Sequence, residues 1–357
     1  MKLKGKTIEE LNNARINNLD IIRFIAASLV LFSHAYPLTT GSNGSEPFAV
    51  WTMGQMTFGE FAVSIFFIIS GFLITQSFDR SRNPVNYMKA RALRIFPGLI
   101  VCVALTVFVL GPIFTQLTLG EYFTSRDTYM YFKTISLYFM QYNLPGVFDT
   151  NVWPNAVNGS LWTLWYEFFF YIVVLVLGML RLLDKRVVVA TFIISSGLHF
   201  FGKGDFYTDL FRYFSAGMIL YLFRSHIKMN GVVALLSLLG LIVTANYGYF
   251  EFAFTIFGAY LIFYLAYETR LRLHNFGKYG DFSYGIYIYA FPIQQIFANM
   301  FNNQLTAVEN FFVSFPITLL LAFASWHVVE KRALKYKNFS FRGQKDQNTA
   351  RQVNAGA

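Results

Sequence analysis

Residues 19–36 read LDIIRFIAASLVLFSHAY: a nearly unbroken apolar run interrupted only by Asp20, Arg23 and His34. A helix that crosses a bilayer needs ~20 mostly apolar residues, and nine further stretches of this kind follow. The ten are 19–38, 60–77, 93–113, 161–180, 187–201, 207–223, 231–249, 252–267, 282–301 and 309–329. The composition agrees. Hydrophobic residues make up 55% of the chain and charged residues 13%, about half the charged share of a water-soluble domain. The expected fold is therefore all-α, a polytopic transmembrane bundle of about ten spans.

The charges orient this bundle. Lys2, Lys4, Lys6 and Arg15 precede the first run, and Arg80, Arg82, Lys89, Arg91 and Arg94 lie between the second and third. Further groups are Arg181, Lys185 and Arg186, then Arg224 and Lys228, then Arg270, Arg272 and Lys278, followed by a basic C-terminal tail. Ten spans place all of these on one side and leave only Arg126, Lys133, Lys203 and Arg212 of the 29 basic residues on the other. Positive charge marks the cytoplasmic side, so both termini are expected there. An eleventh short run, 129–143, contains Lys133 and would invert half of the pattern if it crossed; it is expected to lie on or dip into the outer face. The net charge of +10 is thus a matter of membrane topology and lipid contact, and it argues against a nucleic-acid partner. The first run has no small-x-small cleavage site and reads as a retained span. The expected organisation is a cytoplasmic segment 1–18, a transmembrane domain 19–337 and a disordered tail 338–357.

Ionisable residues inside spans are costly and mark function by default. In the first span His34 follows Arg23 by eleven residues, which puts the two within about 20° of one helical face and roughly 16 Å apart along the axis. Asp20 is placed to pair with Arg23 at i,i+3, although both residues also suit a membrane boundary. An imidazole near the far end of the span can accept a proton from a hydroxyl; a buried histidine bonded to a neighbouring helix is the plainer alternative. Ser70-Gly71 removes side-chain bulk from the middle of the second span, for an acyl chain or for helix packing. Arg91 and Arg94, one turn apart, form a pair that can hold phosphates or lipid headgroups. Residues 158–171, NGSLWTLWYEFFFY, place Glu167 at about the depth of His34, where a carboxylate would orient the imidazole. The five histidines show no metal-ligand spacing, and no bound cofactor is expected.

Taken in order, LDIIRFIAASLVLFSH, FFIISGFLI, RALRIFP, NGSLWTLWYEFFFY, FSYGIYIYAFP and WHVVEKRAL resemble acyltransferase family 3, integral membrane enzymes that O-acetylate bacterial surface polysaccharides. The resemblance covers residues 18–337 and implies a multi-pass protein of a bacterial inner membrane. It implies an acyl-CoA donor, acetyl-CoA above all, entering from the cytoplasm, and an acceptor that is a lipid-linked or surface polysaccharide such as O-antigen. His34, Arg23, Glu167 and Asp20 are then the candidate catalytic group. Arg91, Arg94, Ser70 and Gly71 are the candidates for acyl-CoA, and Trp162 and Asn158 those for the acceptor. One position departs from the pattern: Ala290 stands where many members carry a histidine. A competing class is a transporter or flippase for a lipid-linked sugar or anion, in which the same intramembrane charges would form a proton or anion path. A polysaccharide polymerase is a third, but it would favour an outer loop with several arginines, and 114–160 holds only Arg126.

Overall fold

The computed structural model describes residues 5–13, 16–81, 83–267 and 273–338. Lys2, Lys4, Arg15, Arg82, Arg270 and Arg272, and the expected tail beyond Asn338, lie outside the described residues. A helix occupies each of the ten apolar stretches. These are α1 (Leu19–Thr40), α2 (Phe58–Ser81), α3 (Pro84–Phe114), α4 (Thr163–Met179), α5 (Lys185–Phe200), α6 (Phe206–Leu222), α7 (Gly231–Ala245), α8 (Phe250–Tyr267), α9 (Ser283–Met300) and α10 (Ala307–Lys335). Among the described residues there is no strand, only the isolated bridges Thr7–Lys228 and Thr115–Val147. Five helices, α1, α2, α3, α8 and α10, are long and apolar enough to cross a membrane; α4 and α7 are shorter apolar helices. An apolar run in lipid must satisfy its backbone internally, which leaves the helix as its form.

Local signals set the ends. Asp184 and Asn230 accept backbone N–H groups at the starts of α5 and α7. Asp205 with Thr208, and Thr306 with Glu309, form reciprocal caps at α6 and α10. α3 begins at Pro84, a turn and more before the hydrophobic run, because Asn83 caps it and Pro84 stands in its first turn. Arg91 and Arg94 are therefore inside a helix and not at its mouth. Three helices contain a π turn, at 106–110, 254–258 and 326–330; such turns often mark functional sites, and the last carries Trp326 and Glu330. The 129–143 run divides into helix Arg126–Met130, a 3-10 turn Tyr131–Ser136 and irregular chain, so it forms no long helix.

α2 is the hub of the bundle, packed against α1, α4 and α6. Its contact with α6 is backbone to backbone. A Cβ added at Gly71 would lie 1.9 Å from the Phe214 carbonyl oxygen, and one at Gly217 would lie 2.0 Å from that of Ile68. Reciprocal small residues allow this close crossing. The rim of the bundle is apolar: Ile193, Leu236, Phe312 and Leu320 are all exposed, as a lipid-facing surface requires.

Candidate active site

Two polar centres lie inside the bundle. The first joins α1, α3, the turn before α9, and α10. Arg23 Nη1 and Arg94 Nη2 each donate to Asp281 Oδ2 at 2.6 Å, and Ser283 Oγ donates to Asp281 Oδ1 at 2.5 Å. Burial pushes the Asp281 carboxyl up, but the two guanidiniums and then the Ser283 hydroxyl outweigh it and hold the group well below the ordinary carboxylate range. Arg94 also approaches Glu330 at 3.6 Å and lies over the rings of Tyr284 and Trp326, while Ser325 Oγ donates to Glu330 Oε1. The expected Asp20–Arg23 pair is not formed: Asp20 is exposed and Arg23 turns to Asp281. The reason is geometric. An i,i+3 pair on a helix surface gains little, whereas the Asp281 carboxylate is buried between two guanidiniums and attracts both.

The Arg-x-x-Arg pair is likewise divided. Arg94 is engaged by Asp281 and Glu330. Arg91 has no hydrogen bond or ion pair among the described residues; its Nε is buried without a partner and its guanidinium lies 5.9 Å from the Tyr171 ring centre. Tyr171 donates to Glu167 Oε1, which also accepts from Ser70 Oγ at 3.1 Å. Glu167 therefore does not orient His34, as its depth had suggested; it belongs with Ser70 and Tyr171.

Ser70 and Glu167, with Arg23, Thr163 and Tyr284, line a small cavity of about 40 Å³. Gly71, one residue on, faces α6 instead, so of the Ser-Gly pair only the serine lines the cavity. A second cavity, of about 400 Å³, is lined by His34, Trp162, Glu60, His199, Asp209 and Glu251, among others. Val63 and Tyr287 line both, so the cavities meet at these two side chains. His34 is held edge-on to Phe291, with Nδ1 3.5 Å from Ser160 Oγ. The Tyr287 hydroxyl donates to the Ser160 carbonyl at 2.5 Å and is shared with Thr163 Oγ1.

The Asn-Gly-Ser sequence before α4 explains how this junction is built. Asn158 is 2% exposed; its Nδ2 donates to the Ile288 carbonyl and its Oδ1 accepts from Ser160 N. It is a clamp between this segment and α9 and, unlike Trp162, does not line the larger cavity. Gly159 admits the Phe291 ring, which a Cβ would meet at 2.7 Å, and Ser160 then faces His34. Trp162 does line the larger cavity. Ala290 is buried among Ala27, Leu31, Ile286 and Ala322, an apolar packing position with no polar role.

Asp281, Glu330, Tyr287 and the group His199, Asp209, Arg212 and Glu251 were not singled out from the sequence. Asp281 immediately precedes an apolar run and Glu330 closes one, so the rule for intramembrane charge applied to both. The last group is spread over three helices, and no spacing could have joined it.

The family model described as an acyltransferase domain matches residues 16–327. An O-acetyl transferase of Shigella phage Sf6 is 33% identical over 333 residues, which cover 89% of this chain and 96% of that protein. Nodulation protein 10 of Rhizobium leguminosarum bv. viciae is 33% identical over 170 residues, 44% of this chain and 42% of that protein. The exopolysaccharide production protein ExoZ of Rhizobium meliloti is 34% identical over 120 residues, 33% of this chain and 34% of that protein. No solved structure gives a significant match. A match spanning nearly the whole bundle, on a chain of apolar helices with polar groups gathered inside, makes this protein a member of the membrane acyltransferase family.

Proposed function

We propose that the protein transfers an acetyl group from acetyl-CoA to a hydroxyl of a cell-surface sugar, working as a ten-span enzyme of the bacterial inner membrane with both termini in the cytoplasm. The observation that carries this reading is the meeting of the two cavities at Val63 and Tyr287. A thioester arm reaching the neck from the arginine-bearing cavity meets a hydroxyl bound beside His34. The distribution of the basic residues supports the arginine end as cytoplasmic, and the O-acetyl transferase relative supports acetyl as the group moved.

In this mechanism Arg91, which has no hydrogen bond or ion pair among the described residues, takes a phosphate of the donor. His34 removes the proton of the acceptor hydroxyl as its oxygen attacks the thioester carbonyl carbon. The carbon–sulfur bond breaks, the acetyl ester forms, and the departing thiolate takes up the proton that His34 removed, which restores the neutral imidazole. Ser160 holds the imidazole, and Tyr287 fixes Ser160 through its carbonyl. Arg23, bound to Asp281, supplies positive charge at the donor side of the neck.

The test is His34→Ala in membrane vesicles at matched protein level, with acetyl-CoA and an acceptor glycan, read by the gain of one acetyl mass. General base catalysis contributes about 10²–10⁴-fold, so transfer should fall on that scale while CoA binding is kept. Near-normal transfer by this variant would overturn the assignment of the base.

A further inference from the structure

The wall of the larger cavity opposite His34 carries a charged network that the acetyl-transfer chemistry does not use. His199 Nδ1 lies 2.9 Å from Asp209 Oδ1 and its Nε2 lies 3.3 Å from Glu251 Oε2. Arg212, 2% exposed, donates to Glu251 Oε2 at 2.7 Å and through Nε to the Asp209 carbonyl at 3.2 Å. α5, α6 and α8 are tied together by these bonds. Charge inside a membrane bundle is retained where it faces a water-filled cavity or a ligand, and both carboxylates are about one-third exposed, 34% and 33%. Each keeps an oxygen with no bond among the described residues, Oδ2 of Asp209 and Oε1 of Glu251. Trp162 and Phe206 also line the cavity, their rings 5.1 Å apart, and Phe206 is 61% exposed.

We infer that this wall is the acceptor subsite and that it selects an uncharged sugar, a neutral hexose or deoxyhexose, over an acidic one. The inference rests on the transferase reading for its link to His34, but its ligand class comes from the cavity itself. At about 400 Å³ the space falls in the range of small-ligand sites, ~300–1,000 Å³. The two free carboxylate oxygens accept bonds from sugar hydroxyls, and a bond to an ionised acceptor is the stronger kind. The aromatic pair offers an apolar platform for the face of a pyranose ring. Charge supplies the selection. Glu60, Asp209 and Glu251 line the cavity, and its one guanidinium, Arg212, is committed to Glu251. A uronate carboxylate placed here finds three carboxylates against the Arg212 guanidinium and the His199 imidazole, which is already bonded to two of them, and no cation among the described lining residues left to receive it.

The experiment uses the full-length protein in lipid nanodiscs and saturation-transfer NMR. The probes are methyl glycosides of neutral hexoses and 6-deoxyhexoses, set against methyl hexuronides. Neutral probes should receive saturation, and their apparent affinity should exceed that of the hexuronides by about tenfold, the factor that 1.4 kcal/mol of discrimination gives. Asp209→Asn should narrow that gap, since it removes one like charge and keeps the shape of the wall. If that variant does not fold, the gap in the wild-type protein decides alone. Equal binding of hexuronides by the wild type, an unchanged gap in folded Asp209→Asn, or no binding of any neutral probe would each overturn the inference. Acetyl transfer to hexuronides as fast as to neutral glycosides would also overturn it and leave the transferase reading standing. Selective neutral binding with no transfer from acetyl-CoA would do the reverse.

Discussion

Removing Asp281 should harm the fold more than removing either arginine it binds. Its Oδ2 is shared by Arg23 and Arg94 at 2.6 Å each, and the three side chains are 17%, 22% and 16% exposed in that order. Asp281→Ala leaves two poorly solvated guanidiniums facing a void; Arg94 retains Glu330 at 3.6 Å, and Arg23 retains no acidic partner among the described residues. Loss of one partner from a buried pair costs about 3–5 kcal/mol. Arg23→Ala leaves Asp281 with Arg94 and Ser283, so its cost should be that of one charge-assisted bond, about 1.5–3 kcal/mol. Denaturant unfolding of the purified protein in detergent, followed by tryptophan fluorescence, measures both, and the double variant closes the cycle. The double variant should cost less than the sum, because the second change removes a charge the first had stranded. The reasoning also has a pH sign. The folded-state carboxyl is held below its unfolded value, about 3.9, so its contribution is fully present above that pH and is lost as pH falls through the folded value. The gap between wild type and Asp281→Asn should stay flat from neutral pH downward and close only below about pH 4. Arg23→Ala as damaging as Asp281→Ala, or strict additivity in the cycle, would refute the shared-acceptor account.

Other expectations follow from the same geometry. Arg91→Ala should weaken CoA binding, by about 1.5–3 kcal/mol if one charge-assisted bond to a phosphate is lost, with little change in unfolding; Arg94→Ala should chiefly destabilise. Parallel CoA titration and unfolding curves separate them, and identical behaviour of the two variants would contradict the division described above. Gly71→Ala should deplete folded protein, since its Cβ would strike the Phe214 carbonyl at 1.9 Å and overpacking costs about 1–3 kcal/mol even where some relaxation is possible; Ser70→Ala, which loses only the bond to Glu167, should spare the fold. Ser45→Cys should react with an impermeant maleimide added to intact cells and Ser81→Cys should not. The native Cys102 is 1% exposed and should stay silent, while labelling of Ser81→Cys from outside would overturn the proposed orientation.

The helices were legible because apolar length is a property of the chain alone. All ten stretches are helical, and the boundary that shifted most, the start of α3, shifted because a capped polar turn carries no hydropathy signal. The partners inside the bundle were much less legible. Helical spacing placed Arg23 beside Asp20, yet it binds Asp281, 258 positions away. The matched depth of Glu167 and His34 was a statement about height in the membrane, and two residues at one height can stand on opposite sides of a bundle. Trp162 and Asn158, both expected at the acceptor, are set apart by the fold: Trp162 lines a cavity with His34, whereas Asn158 is bonded to the Ile288 carbonyl of α9. The network of His199, Asp209, Arg212 and Glu251 joins three helices, and single-sequence periodicity has nothing to say about which helices become neighbours.

The division of Arg91 from Arg94 shows most directly what the third dimension adds. On an isolated helix, residues one turn apart share a face and would act together on one anion. In the bundle that face is covered by different neighbours at successive turns. The turn before α9 presents Asp281 to Arg94, α9 presents Tyr284, and α10 presents Trp326 and Glu330, whereas α4 presents Tyr171 to Arg91. The acids consume one guanidinium in holding four segments of chain together, and their absence on the other side leaves the second unpaired. If Arg91 takes the donor phosphate as proposed, the two roles depend on each other: without Asp281 and Glu330, Arg94 would compete with Arg91 for that phosphate and draw it toward α10. On this reading the buried salt bridge contributes to catalysis by withholding a cation, and the donor is guided as much by the charge that is neutralised as by the charge that remains.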